Sequence, residues 1–157
     1  MALITYKTII NELERFCTAH RQVESFRHGL IPDQNGDKDI KHPAVFVRPD
    51  PSTRGNNYIE YNLYIECYAL INYDNSREDI EDSDVELLKE CELILIDIAD
   101  AVFKGTDYFY FDGVKSEYTG DYQLEPFLDQ KAQRESGWIL RLKLKYPRAM
   151  NACDIPD

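Results

Sequence analysis

The stretch YIEYNLYIECYALIN, running from Tyr58 to Asn72, decides how this chain folds. On an extended backbone, Ile59, Tyr61, Leu63, Ile65, Cys67, Ala69 and Ile71 point to one side. Tyr58, Glu60, Asn62, Tyr64, Glu66, Tyr68 and Leu70 point to the other. Period two, carried by aromatic and β-branched residues, predicts a strand. The run is long against a usual strand of ~5–6 residues. At ~3.3 Å per residue it would reach ~50 Å, so it bends at a bulge or extends beyond its own domain. Its second side mixes tyrosines with acids, which suits partial burial against another chain, and Tyr58, Tyr64 and Tyr68 are the candidate subunit-interface residues.

Both flanks of that strand carry elements able to cover it. Upstream, Ala44-Val45-Phe46-Val47 is a short strand between Pro43 and Pro49, and Val23 to Leu30 is a second candidate. Residues 31–42 and 52–57 read as exposed loops. Leu3 to His20 is an amphipathic helix with Tyr6, Ile9, Ile10, Leu13, Phe16, Cys17 and His20 on one stripe. Downstream, Ser83 and Glu86 form a capping-box pattern for a helix ending near Phe103, with Val85, Leu88, Leu95, Ile98, Ala99 and Val102 facing inward. Tyr108 to Phe111 and Tyr118 to Phe127 read as short strands. Gly137 to Tyr146 alternates, with Trp138, Leu140, Leu142 and Leu144 opposite Arg141, Lys143 and Lys145. The expected fold is α+β, a mainly antiparallel sheet with two helices packed on one face. One domain is expected over 1–147, with 148–157 a tail.

Composition limits the function. Of 157 residues, 43% are hydrophobic, enough for a core, and no apolar run approaches the ~20 residues of a membrane span. The first residues do not read as a signal peptide, so a cytosolic compartment is expected. The net charge of −11 disfavours binding to a phosphate backbone. Much of that charge lies between Asp74 and Glu86, where Asp79, Glu81 and Asp82 are the candidate residues of an acidic surface or channel lining. The EF-hand pattern is absent there. Cys17, Cys67, Cys91 and Cys153 are scattered without zinc-ligand spacing and read as small buried side chains.

Catalytic signatures are missing. His20, His28 and His42 accompany no GxSxG serine, and the seven glycines are too dispersed to cradle a phosphate. The expectation is a protein without catalytic residues, metal or cofactor, and no membrane partner. Carboxylate pairs leave a small acidic hydrolase as a further alternative. The 11 tyrosines point instead to contact surfaces.

These landmarks in this order resemble neck and tail-completion proteins of tailed bacteriophages, including tail-terminator-like subunits. The residues that carry the resemblance are Phe26 with Gly29, the His42 to Val47 run with Pro49, the long strand, Tyr73-Asp74, Ser83-Asp84, Leu124-Glu125-Pro126-Phe127 and Gly137-Trp138. Within that group it resembles neck ring proteins of crAss-like phages. The resemblance implies a virion protein, assembled in the host cytoplasm. It further implies a cyclic homo-oligomer between portal and tail, with other neck, portal or tail proteins as partners and DNA passing only through the lumen. An acidic lumen would let that DNA slide. The alternative from the residues alone is a cytosolic adaptor that captures a partner with an exposed strand.

Overall fold

The structure is a computed structural model that describes residues 4–29, 40–55, 57–70, 82–103, 107–111, 113–116, 122–128 and 135–147. In chain order the elements are α1 (Tyr6–Ala19), β1 (Ser25–His28), β2 (Ala44–Pro49), β3 (Thr53–Arg54), β4 (Tyr58–Leu70), α2 (Asp82–Phe103), β5 (Gln123–Leu128) and β6 (Glu135–Pro147). The sheet runs β1-β2-β4-β6-β5, with β3 also paired to β4. Only β1 and β2 are parallel; the other pairs are antiparallel. The chain is thus α+β, with two helices on one face of a mainly antiparallel sheet.

The alternation in β4 sorts its residues between two environments. Ile59, Tyr61, Leu63, Ile65, Cys67 and Ala69 are buried in the main core beneath both helices. Val45 and Val47 join them from β2, and Leu140, Leu142, Leu144 and Tyr146 from β6. From the helices come Ile9, Ile10, Leu13 and Cys17 of α1 and Cys91, Ile94, Leu95, Ile98 and Val102 of α2. Cys17, Cys67 and Cys91 are fully buried and free where both helices meet β4. Burial pushes the Cys17 thiol up to about 12. A hydrogen bond with Cys91, then burial, raises Cys67 as well. The Cys17 and Cys67 thiols are packing groups, held away from the reactive thiolate form.

The long strand neither bulges nor overhangs. β6 pairs with it residue for residue from Tyr58↔Pro147 to Leu70↔Glu135. Its other side is occupied by β2 along Leu63–Tyr68 and by β3 at Ile59 and Glu60. It is an interior strand, so the expectation of β4 as an exposed strand that captures a partner is corrected: Ile59, Glu60 and Leu63–Tyr68 are flanked by strands on both sides. The sheet's edges are β1 and β5. β1 has four residues and β5 carries Pro126, two features that blunt an edge against pairing with further strands.

Local differences have local reasons. The first helix starts at Tyr6, because Thr5 and Thr8 cap each other reciprocally and satisfy the free amides of the first turn. α2 already includes Asp82, one residue before the expected cap at Ser83. Val85 points outward, 48% exposed. Thr53 and Arg54, in a stretch expected to be loop, add a two-residue strand to β4. Tyr108 to Phe111 is not a strand. Phe109 sits buried in the left-handed region (φ 62°), and Phe111 makes a lone bridge to Val114. The buried Tyr146 hydroxyl donates to the Phe109 carbonyl at 3.0 Å and holds this turn under the helices. Tyr118 to Asp121 and the tail 148–157 lie outside the described residues.

Candidate functional site

The helices cover only one face of the sheet. The other face is built from the even-numbered residues of β4 and their register partners. Across its middle runs the row Arg48–Tyr64–Arg141, on β2, β4 and β6. The Tyr64 ring lies between the two guanidiniums, 4.1 Å from Arg48 Cζ and 5.6 Å from Arg141 Cζ. Each such contact is worth about 0.5–1 kcal/mol at a partly exposed site. Burial under these side chains raises the Tyr64 hydroxyl above its ordinary range. At the far end Lys145 Nζ sits 4.6 Å from the centre of the Tyr58 ring. Lys143 pairs with Glu60 at 3.0 Å and Arg141 with Glu125 at 3.6 Å. The face therefore presents half-buried aromatic rings held by cations, a composition that interfaces favour.

Tyr68 is different. It faces the same side but is only 6% exposed, packed with Ala44 and Phe46 of β2 and with Phe127 of β5. Its ring meets His42 edge-on at 5.6 Å. Burial pushes its hydroxyl up to about 12. Tyr68 is thus covered by its own chain and offers no ring to a neighbour, while Tyr58 and Tyr64 remain part-exposed. Asp79 and Glu81 lie outside the described residues. Asp82 opens α2, and its side chain also lies outside the description.

Between Tyr64 and Tyr68 lies Glu66, flanked in register by Phe46 and Ile139. Burial among these apolar neighbours raises its pKa, with Glu135 adding to the shift and Arg48 opposing it. A carboxyl raised on folding stabilises the protein below its unfolded pKa, and that stabilisation is lost as pH rises through its folded pKa. Glu66→Gln is therefore expected to raise the melting temperature at pH 7 and leave it unchanged near pH 4. Melting curves at both pH values check this; equal shifts would remove the titration argument.

Among the described residues, two cavities bear on a site. A trough of about 590 Å³ crosses the open face, lined by Asp50, Pro51, Asn62, Tyr122, Gln123, Arg141 and Lys143 among others. A cleft of about 420 Å³ lies on the helix side, where Phe16, His20, Asp97, Asp100, Ala101, Asp107 and Tyr108 meet. In it His20 Nε2 and Asp97 Oδ2 are 2.9 Å apart, joining α1 to α2. Among the described residues no serine, threonine or cysteine lines this cleft. Among the described residues no group of three or more His, Cys, Asp or Glu is placed to hold a metal ion. No described helix is long and apolar enough to cross a membrane.

No protein-family model and no curated protein matches this chain. The open face is accordingly read from its own residues. Sequence reasoning found Tyr58 and Tyr64, and the basic side of β6. It missed Arg48. The signal was there in Ala44, Phe46 and Arg48, which alternate with Val45 and Val47 on β2.

Proposed function

We propose that this chain is a structural subunit that assembles through the open face of its sheet into a ring in the neck or tail of a tailed-phage virion. One observation carries the reading: a whole sheet face lies outside the helix layer and displays Tyr58 and Tyr64 among cations, while the sheet edges are short or interrupted by proline. Such a chain associates through its face rather than by adding strands. The resemblance of its sequence to neck and tail-completion proteins supports a position between portal and tail. The net charge of −11 suits a wall that DNA passes without sticking. In this reading the subunit performs no chemistry and assembles in the host cytoplasm before joining the virion.

Light scattering over a concentration series, with negative-stain imaging of the largest species, tests this. Closed rings of uniform size are expected. A monomer at the highest soluble concentration would count against self-assembly and favour the adaptor, whose partner would then occupy the same face and its trough.

A further inference from the structure

We infer that Glu66 couples assembly to pH: a neighbouring copy that covers the open sheet face shuts this carboxyl away from water, so each contact takes up a proton and the ring forms more readily in acid. This rests on the ring reading and names a control built into the same face.

Four glutamates stand on β4, β5 and β6. Three of them have a basic partner: Glu60 meets Lys143 at 3.0 Å, Glu125 meets Arg141 at 3.6 Å, and Glu135 meets His42 at 3.6 Å. Glu66 makes no ion pair among the described residues. Arg48, the cation that acts on it, is placed over the Tyr64 ring instead.

The position of Glu66 is central and apolar. Along β4 it stands between Tyr64 and Tyr68, and across the strands between Phe46 of β2 and Ile139 of β6, both buried. Beyond these in register lie Arg27 of β1 and Glu125 of β5. His42 and Arg48 complete the charged surroundings on the β2 side, Glu135 and Arg141 on the β6 side. The hydroxyls of Tyr64 and Tyr68 are both pushed up by burial, so they stay protonated at neutral pH and do not titrate with Glu66. The sheet lies beneath the carboxyl and side chains flank it, so its remaining water lies on the open side, where a neighbouring copy would sit.

Burial within the subunit already raises the pKa of Glu66. Covering the face acts in the same direction. An ionised carboxylate without a partner cation loses its hydration, whereas the protonated form enters an apolar contact at less cost and can donate a hydrogen bond. A carboxyl whose pKa rises on association binds a proton in the assembled state. Association is then tightest below the pKa of the free subunit and weakens as pH rises through that of the assembled one.

Glu66→Gln, an uncharged isostere of the protonated form, tests this. Sedimentation equilibrium of variant and wild type at pH 8 and pH 5.5 reads the association, and melting curves on the same samples show that both are folded. At pH 8 the variant is expected to associate about ten-fold more tightly than the wild type, the ratio that accompanies a rise of about one pH unit in the carboxyl's midpoint on assembly. At pH 5.5 the two are expected to converge. The net charge of −11 also shrinks in acid and favours association of both proteins. Glu14→Gln, which removes one charge from the exposed side of α1, is the control and is expected to match the wild type at both pH values. Tightening by Glu14→Gln equal to that by Glu66→Gln would assign the effect to net charge and overturn the inference. Weaker association of Glu66→Gln at pH 8 would also overturn it, because the neighbour would then be supplying a cation to the ionised carboxylate. Equal association of Glu66→Gln and wild type at both pH values overturns this inference and leaves the ring reading standing. A wild type and variant that never self-associate overturn both.

Discussion

Gly137→Val is expected to destabilise the protein by at least ~3 kcal/mol, one of the largest effects available to a single substitution here. Gly137 lies on β6 directly across from Tyr68 of β4. A methyl group built on it would overlap the Cys67 carbonyl oxygen and come within 2.7 Å of Tyr68 Cα. These are backbone atoms in the middle of the sheet, so no rotamer change can make room. The strands would have to separate where β4 and β6 are paired along their full length, which would disturb the Cys67 and Tyr68 packing on both faces. For a chain of this size ~3 kcal/mol corresponds to a fall of about 6–12 °C in melting temperature. Gly113 is the control. It has φ +77° and open space around its missing side chain, so Gly113→Ala is expected to cost only the left-handed backbone penalty of about 1–2 kcal/mol. Thermal melts of the two variants read the difference. Equal, small losses would mean that the β4–β6 pair tolerates separation at Gly137.

The contrast between these glycines bears on what the sequence could reveal. Alternation along Tyr58 to Leu70 is a local signal, and it assigned every residue to the correct side of the sheet. The same holds for β6, down to Ile139 on the polar side. What alternation cannot carry is which strands lie beside a given residue. Tyr64 and Tyr68 share parity, residue type and strand, yet Tyr64 meets Arg48 and Arg141 while Tyr68 meets Ala44, Phe46 and Phe127. That difference comes from the register of β2 and β5, elements far away in sequence. Val85 was misassigned for a related reason: α2 is apolar around much of its circumference, so periodicity alone left its outward stripe uncertain. Near Tyr108 to Phe111 the aromatic composition favours a strand. The burial of Phe109 and the hydrogen bond from Tyr146 overrode that preference.

Placing a carboxylate at each of the two tyrosines turns this difference in neighbours into opposite outcomes. Tyr68→Glu would leave a cavity where the ring packed and put a charge among Ala44, Phe46 and Phe127. A loss of about 3–5 kcal/mol is expected, so the variant should melt far below the wild type. Tyr64→Glu would set its carboxylate between Arg48 and Arg141, partners that accept it, and remove only two cation–aromatic contacts. Its effect on folding is expected to stay within about 1–2 kcal/mol. Assembly should respond in the other order. Tyr64→Glu removes the central ring of the open face and neutralises the cations beside it, so oligomers should be lost while the fold persists. Melting curves and light scattering on the same samples separate the two effects. If Tyr64→Glu lowered stability as far as Tyr68→Glu does, Tyr64 would be an ordinary packing residue, and the face would lose its claim as a subunit contact. If Tyr64→Glu left both stability and assembly intact, the contact would have to lie elsewhere on the molecule. Only a folded monomer leaves the exposed aromatic row as the surface that joins one copy to the next.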